Sequence, residues 1–212
     1  MEVKTFLSYL LSENSFAGIT DDGIFLVDPG EYTGELKEFV AAHREEIRLI
    51  LLTHRHFDHV LGVADLLRDC PHAKTVIHRL DAAGLSDPAF SLASLYKLLQ
   101  DPVTPDRLCD DGDVIEMGNT SIRVMHTPGH TAGSVCYLTD DAIFCGDTLF
   151  YACIGRTDLE SGDVNDMAAS LRRLNDLPGD YQLYPGHGNL TTLSAEQRHN
   201  RYLKRLINGD IQ

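Results

Sequence analysis

The segment TH-R-H-F-D-H, residues 53–59, places His54, His56, Asp58 and His59 within six positions of one another. Neutral imidazole nitrogen and carboxylate oxygen are the donors that zinc, iron and manganese accept. The run IRLILL before these residues is apolar and partly β-branched, so they follow a buried strand that ends at His54. Extended backbone repeats every two residues, which turns His54 and His56 to one side, and the turn that follows swings Asp58 and His59 to another. Two adjoining metal sites can share such a loop, but one segment cannot complete both coordination spheres. Three later loops offer further donors: TPGHTAGS with His130, CGDTLF with Asp147 and YPGHG with His187. Each follows an apolar strand and sits among Gly, Pro and Thr, where irregular backbone can aim a side chain into a cleft. An imidazole that binds metal through one nitrogen needs a partner for its other N–H, and Asp28, at the strand end in VDPG, is the candidate for that supporting role.

Positioning these loops takes two similar halves. In the first, short apolar runs precede a hairpin at Asp22-Gly23, helical spacing of Leu36, Phe39 and Val40 marks a helix over 33–44, and a further helix over 61–68 leads to a strand at 75–78. Residues 80–100 read as irregular or helical, limited by Pro88 and Pro102. In the second half, hairpins turn at Gly118-Asn119 and Asp140-Asp141, a helix capped by Asp163 or Asn165 follows, and YQLYPGHG is a last short strand before one terminal helix, AEQRHNRYLKRLI. Two sheets packed face to face with helices outside are expected, and no Ser/Gly-rich or Pro-rich linker divides the 212 residues, which read as a single domain.

Composition narrows the function. With 18 Lys plus Arg against 32 Asp plus Glu, the net charge is −14, which repels polyanions and speaks against nucleic acid as a partner. No apolar stretch has the length of a membrane span, and the amino terminus lacks a basic region followed by a small-residue cleavage site, so a cytoplasmic location is expected. Five cysteines, odd in number and without a C-x-x-C pair, fit a reducing compartment; Cys136, Cys145 and Cys153 read as inert apolar residues of strands. Five of the ten histidines, His43, His72, His78, His126 and His199, lie scattered and read as ordinary surface or core residues.

The ordered set His54, His56, Asp58, His59, His130, Asp147 and His187 resembles the metallo-β-lactamase superfamily, whose pattern is HxHxDH followed by His, Asp and His, over nearly the whole chain from VDPG to YPGHG. The resemblance implies an α/β fold, the four-layer αβ/βα sandwich with two mixed sheets and outer helices. It also implies two divalent ions, zinc or alternatively iron or manganese: His54, His56 and His130 on the first, Asp58, His59 and His187 on the second, Asp147 between them. Within the superfamily, GDTLFYACIGRTD and LPGD before YPGHG look like the short single-domain glyoxalase II (hydroxyacylglutathione hydrolase) branch. The antibiotic-degrading lactamases typically lack a histidine at the place of His59. The implied activity is thioester hydrolysis, of S-lactoylglutathione or a related small acyl substrate, in which the two cations bring the pKa of a water to about 7 so that hydroxide attacks the carbonyl. Asp58 is placed to orient that nucleophile as well as to bind metal. Arg156 falls where the family often has a basic residue facing the thioester, and Tyr151 is a candidate for the pocket wall. Two alternatives share the motif set. One is a mononuclear iron persulfide dioxygenase, which usually carries PAHD where this chain has Pro185-Gly186-His187-Gly188, and the other is a lactonase.

Overall fold

The computed structural model of the chain describes residues 1–209. The first half comprises β1 (Glu2–Leu7), β2 (Asn14–Thr20), β3 (Gly23–Val27), α1 (Gly34–His43), β4 (Ile47–Leu51), α2 (Phe57–Val60), α3 (Val63–Asp69), β5 (Lys74–His78) and β6 (Arg107–Cys109). The second half comprises β7 (Val114–Met117), β8 (Thr120–His126), β9 (Val135–Leu138), β10 (Ala142–Gly146), β11 (Leu149–Phe150), β12 (Cys153–Ile154), α4 (Val164–Asn175), β13 (Gln182–Pro185), β14 (Thr191–Thr192), α5 (Leu193–His199) and α6 (Arg201–Ile207).

Two six-stranded mixed sheets result. The first runs β1-β2-β3-β4-β5-β6, with an antiparallel meander at one edge and parallel pairing from β3 onward. The second runs β14-β13-β10-β9-β8-β7 and is antiparallel except for β10 against β13. Alternation along each strand sends one set of side chains inward and one outward. Phe16, Phe25, Leu51, Ile122, Tyr137 and Phe144 close the space between the sheets. The outer face of the first sheet packs on Leu36, Phe39, Val40 and Leu66 of α1 and α3, and that of the second on Met167, Leu171, Leu203 and Leu206 of α4 and α6. The chain is thus a four-layer αβ/βα sandwich.

Two local features, at Asn200 and Cys153, depart from the sequence expectation, and others refine it. The single terminal helix is two, because Asn200 takes extended ψ of 110° and caps α6 through Leu203 N, while its amide donates to Cys153 O at 2.9 Å and to Glu196 Oε2 at 2.8 Å. Its bond to a backbone carbonyl of the β11–β12 hairpin outweighs continuity of the helix. Asp163 caps α4 by accepting from Asn165 N and Asp166 N, and Asn165 is already inside the helix. Residues 80–100 hold two 3-10 turns, Ala82–Leu85 and Ala93–Tyr96. Cys153 lies exposed on the two-residue β12, whereas Cys136 and Cys145 are buried. His78 is a buried residue stacked on His126, with ring centroids 4.2 Å apart.

Every strand that matters for chemistry delivers its carboxyl end to one edge of the sandwich. Asp28 follows β3, His54 follows β4, Asp81 follows β5, His130 follows β8, Asp147 follows β10 and His187 follows β13. Parallel pairing of β3, β4 and β5, and of β10 with β13, is what brings these carboxyl ends side by side.

Candidate metal centre

The ladder of β4 ends at Leu51, the chain bends at Thr53, and His56, in extended backbone, leads into α2. The rings of His54 and His56 lie 4.8 Å apart and each is 4.8 Å or less from that of His130. One ligand atom from each of these three residues falls within 4.8 Å of the other two. Asp58 and His59 sit on the single turn of α2, which carries them away from that trio to meet His187, and these three form a second group within the same limit. Asp147 lies between the two groups: Oδ1 is 3.5 Å from His59 Nε2, and Oδ2 is 3.5 Å from His130 Nε2 and 3.6 Å from His187 Nε2.

Hydrogen bonds fix which nitrogens face inward. A carboxylate or carbonyl only accepts, so His59 donates from Nδ1 to Asp28 Oδ2 at 3.0 Å, and His130 from Nδ1 to Arg156 O at 2.9 Å. The Thr53 hydroxyl donates to Asp28 Oδ2 at 2.6 Å and therefore accepts from His54 Nδ1 at 3.1 Å. The Nε2 atoms of His54 and His59 are left without a partner, whereas His130 Nε2 lies 2.8 Å from His56 Nδ1. Asp28 also accepts from Thr53 N at 2.7 Å. It belongs geometrically to a third group with His54 and His59, but its oxygens are already engaged, so it acts as a brace that orients two imidazoles. Asp28 adopts a left-handed φ of 48° to do so.

Four buried side-chain atoms have no hydrogen-bond partner among the described residues: His54 Nε2, His56 Nε2, His59 Nε2 and Asp147 Oδ1. Buried polar atoms left unpaired are costly, and all four lie in this one cluster of nitrogen and oxygen donors. The set fits one or two divalent cations: His54, His56 and His130 could hold one, and Asp58, His59 and His187 another.

Electrostatics differ between the two groups. Burial, with the neighbouring imidazoles, pushes His54 well below its usual range, and the same causes bring His56 to about 2, so both rings stay neutral. Burial pushes the Asp58 carboxyl up, but His59 and His187 outweigh it and hold it at about 2. Burial also opposes charge on His59 and His187, yet the carboxylates of Asp58 and Asp147 raise both. Uptake of a cation by the second group therefore releases protons.

Residues outside the motif set hold the loops together. Arg55, between the two histidines, and Asp81, after β5, form a fully buried ion pair at 3.1 Å. Asp81 further accepts from Arg55 N, Thr131 Oγ1 and Gly133 N, which ties the His54–His56 strand extension to the His130 loop. Arg55 also donates to Phe90 O and to Glu160 and lies over the Phe90 ring. Glu13, fully buried beside the site and hydrogen-bonded by Ser15, is pushed well above the usual carboxylate range by burial. Local sequence gives no sign of Glu13, whereas Asp81 sits at a strand end in HRLD as Asp28 does in VDPG.

Arg156 is exposed on the rim of the adjoining cleft, its guanidinium paired with Asp158 through contacts of 2.7 and 2.8 Å. Tyr151 is over half exposed at the tip of the β11–β12 hairpin, and the aromatic ring of that hairpin that reaches the cleft is its neighbour Phe150.

Gly30 lets the loop after β3 press on α2. A Cβ at position 30 would lie 1.5 Å from Asp58 O and 3.0 Å from Glu13 Oε2. Gly30→Ala is expected to destabilise the fold by about 1–3 kcal/mol and to shift Asp58. Thermal melting and chelator competition for metal read both effects, and a variant that binds metal like the parent removes this role from Gly30.

The Metallo-beta-lactamase superfamily pattern matches residues 9–187. A hydroxyacylglutathione hydrolase of Francisella tularensis subsp. novicida is 37% identical over 188 residues, spanning 86% of this chain and 64% of its own length. Two solved structures superpose with a TM-score of 0.82. The BLEG-1 B3 metallo-beta-lactamase is 33% identical, over 95% of this chain and 99% of that one. TTHA1623, crystallised in a di-iron-bound form, is 34% identical, over 93% and 98%. No helix among the described residues is long and apolar enough to cross a membrane. The extent of the family match, joined to the fold and to the donors gathered at one edge of it, makes this chain a member of the metallo-β-lactamase superfamily.

Proposed function

We propose that the protein is a binuclear metal-dependent thioester hydrolase of the hydroxyacylglutathione hydrolase type. His54, His56 and His130 hold one divalent ion, Asp58, His59 and His187 the other, and Asp147 serves both; zinc is the expected metal, with iron or manganese as substitutes. The observation that supports it most is the gathering of buried donors from separate loops into two adjoining groups, His54 with His56 and His130, and Asp58 with His59 and His187, each with its ligand atoms within 4.8 Å of one another. Two bound cations supply a water of lowered pKa and a polarised carbonyl oxygen. The chain's own residues supply the rest. Asp28 and Thr53 lock the tautomers of His54 and His59, and Arg156 O locks that of His130. Asp58, ionised and turned into the site, accepts a hydrogen bond from the attacking water and orients it. A thiolate leaving group, with a pKa near 8.5, departs without a strong acid, and the cleft is lined by no lysine among the described residues.

The test is metal analysis of the native protein together with hydrolysis of S-lactoylglutathione and of a β-lactam, the latter because of the similarity to a B3 metallo-β-lactamase. Two ions per chain and release of free thiol are expected. One iron with persulfide-dependent oxygen uptake, or lactam turnover without thioester turnover, overturns the reading.

A further inference from the structure

The cleft beside the metal centre has a volume of about 380 Å³. Its wall away from the metal-binding groups is apolar: Leu11 from the β1–β2 loop, Leu92, Leu95 and Tyr96 from the segment before β6, and Phe150 and Ile154 from the β11–β12 hairpin. Leu95 is 71% exposed and Leu11 52% exposed. Water contact on that scale, beside a reactive centre, marks a surface kept for a ligand. The backbone supports this independently. Leu11 has φ of 56° and Leu92 φ of 69°, a left-handed conformation that glycine or asparagine adopts far more readily than a leucine. Strained residues of this kind persist where the surroundings hold them, and they gather at ligand sites. The second wall is anchored to the metal loop, since Phe57 N donates to Ser91 O at 2.9 Å and the Phe57 and Tyr96 rings lie 4.6 Å apart.

Charge is scarce along this wall. Arg156 is the one cationic side chain lining the cleft among the described residues, apart from the histidines, and Asp158 holds its guanidinium. The chain as a whole carries −14. An acyl arm bearing a carboxylate finds no unpaired lysine or arginine along this wall among the described residues.

Building on the thioester reading above, we infer that the acyl arm of the substrate is apolar and uncharged, of medium chain length, and lies between the Leu11 and Leu92–Tyr96 walls with its carbonyl toward Asp147. Leu92, Leu95 and Tyr96 then set specificity by chain length. Burial of successive methylenes strengthens binding until the cleft is full.

Two measurements on the metal-loaded protein test this. The first is binding of S-alkyl thioethers of N-acetylcysteamine, from S-ethyl to S-octyl, which cannot be hydrolysed. The second is hydrolysis of the acetyl and octanoyl thioesters of the same thiol beside S-lactoylglutathione. S-octyl is expected to bind about tenfold or more tighter than S-ethyl, octanoyl to exceed acetyl in kcat/KM by a similar factor, and Leu95→Ser to shrink both ratios severalfold. Tyr96→Ser gives a second reading from the same wall. Binding that ignores chain length, or a glutathione thioester favoured tenfold over the octanoyl ester, overturns the inference even if thioesters are hydrolysed. Chain-length-dependent binding without turnover of any thioester sustains the apolar site and sinks the hydrolase reading.

Discussion

Asp147→Ala is expected to lower kcat/KM by about 10³-fold or more and to release at least one ion, because the group proposed to serve both cations has no substitute nearby. Asp147 is the only described side chain whose two oxygens approach histidines of both groups, with Oδ1 toward His59 and Oδ2 toward His130 and His187. Its position is enforced by backbone rather than by hydrogen bonds to its carboxylate. Gly146 takes φ of 47°, and a Cβ there would strike Thr53 Oγ1 at 2.2 Å; a Cβ on Gly155 would lie 1.7 Å from Asp147 O. A Cβ on Gly186 would come within 2.4 Å of Asp147 Oδ1. Since Oδ1 has no hydrogen-bond partner, truncation breaks no hydrogen bond of that atom and removes only its ionic approach to His59 at 3.5 Å. The melting temperature of the metal-free variant should therefore stay close to that of the metal-free parent while metal content and activity fall. Elemental analysis, kinetics and thermal melting on the same preparation separate these effects. Full activity with both ions retained would remove Asp147 from the centre, and a collapsed metal-free protein would assign it to folding.

The motif loops were legible because each donor belongs to a short, distinctive string at the end of an apolar run, and strand ends are where an α/β fold gathers its chemistry. Asp28 was legible for the same reason. The buried partner of Arg55 was not, because Asp81 lies 26 residues away in sequence and reaches it only through the parallel pairing of β4 and β5. Glu13 meets the site through a bridge with His187, an encounter between opposite ends of the chain that no local pattern encodes. Neighbours in a tight hairpin point in different directions, so the choice of Tyr151 over Phe150 needed the exact register of β11 against β12. The helix break at Asn200 follows the same logic. Helical periodicity runs through that residue, and only the carbonyl of Cys153, distant in sequence, decides against it. The Leu92–Tyr96 wall was hidden because Leu92 takes a left-handed φ and Leu95 and Tyr96 follow in a single 3-10 turn rather than in a longer periodic element.

Asp81→Ala is expected to destabilise the protein by about 3–5 kcal/mol, since removing one member of a buried ion pair strands the other. For a chain of this size that corresponds to a fall in Tm of roughly 6–20 °C. Both side chains are fully buried, and Asp81 accepts four hydrogen bonds, from Arg55 N at 3.0 Å, Arg55 Nη1 at 3.1 Å, Thr131 Oγ1 at 2.6 Å and Gly133 N at 3.0 Å. Two of those donors belong to the loop that carries His130 and two to the residue between His54 and His56. The carboxylate is therefore the link that sets the distance between the two parts of the first histidine trio. Its loss should weaken that site by about 10–100-fold, the usual scale for removing a group that orients metal ligands. The double variant Arg55→Met with Asp81→Leu distinguishes stability from positioning. Apolar residues of similar bulk can replace a buried pair with little loss of stability, yet they cannot hold Thr131 Oγ1 and Gly133 N. The double variant should therefore melt above the Asp81→Ala protein and still bind metal poorly in chelator competition. A double variant with parental metal affinity would show that packing alone positions the histidines, and Asp81→Ala melting like the parent would show that the buried guanidinium finds another partner.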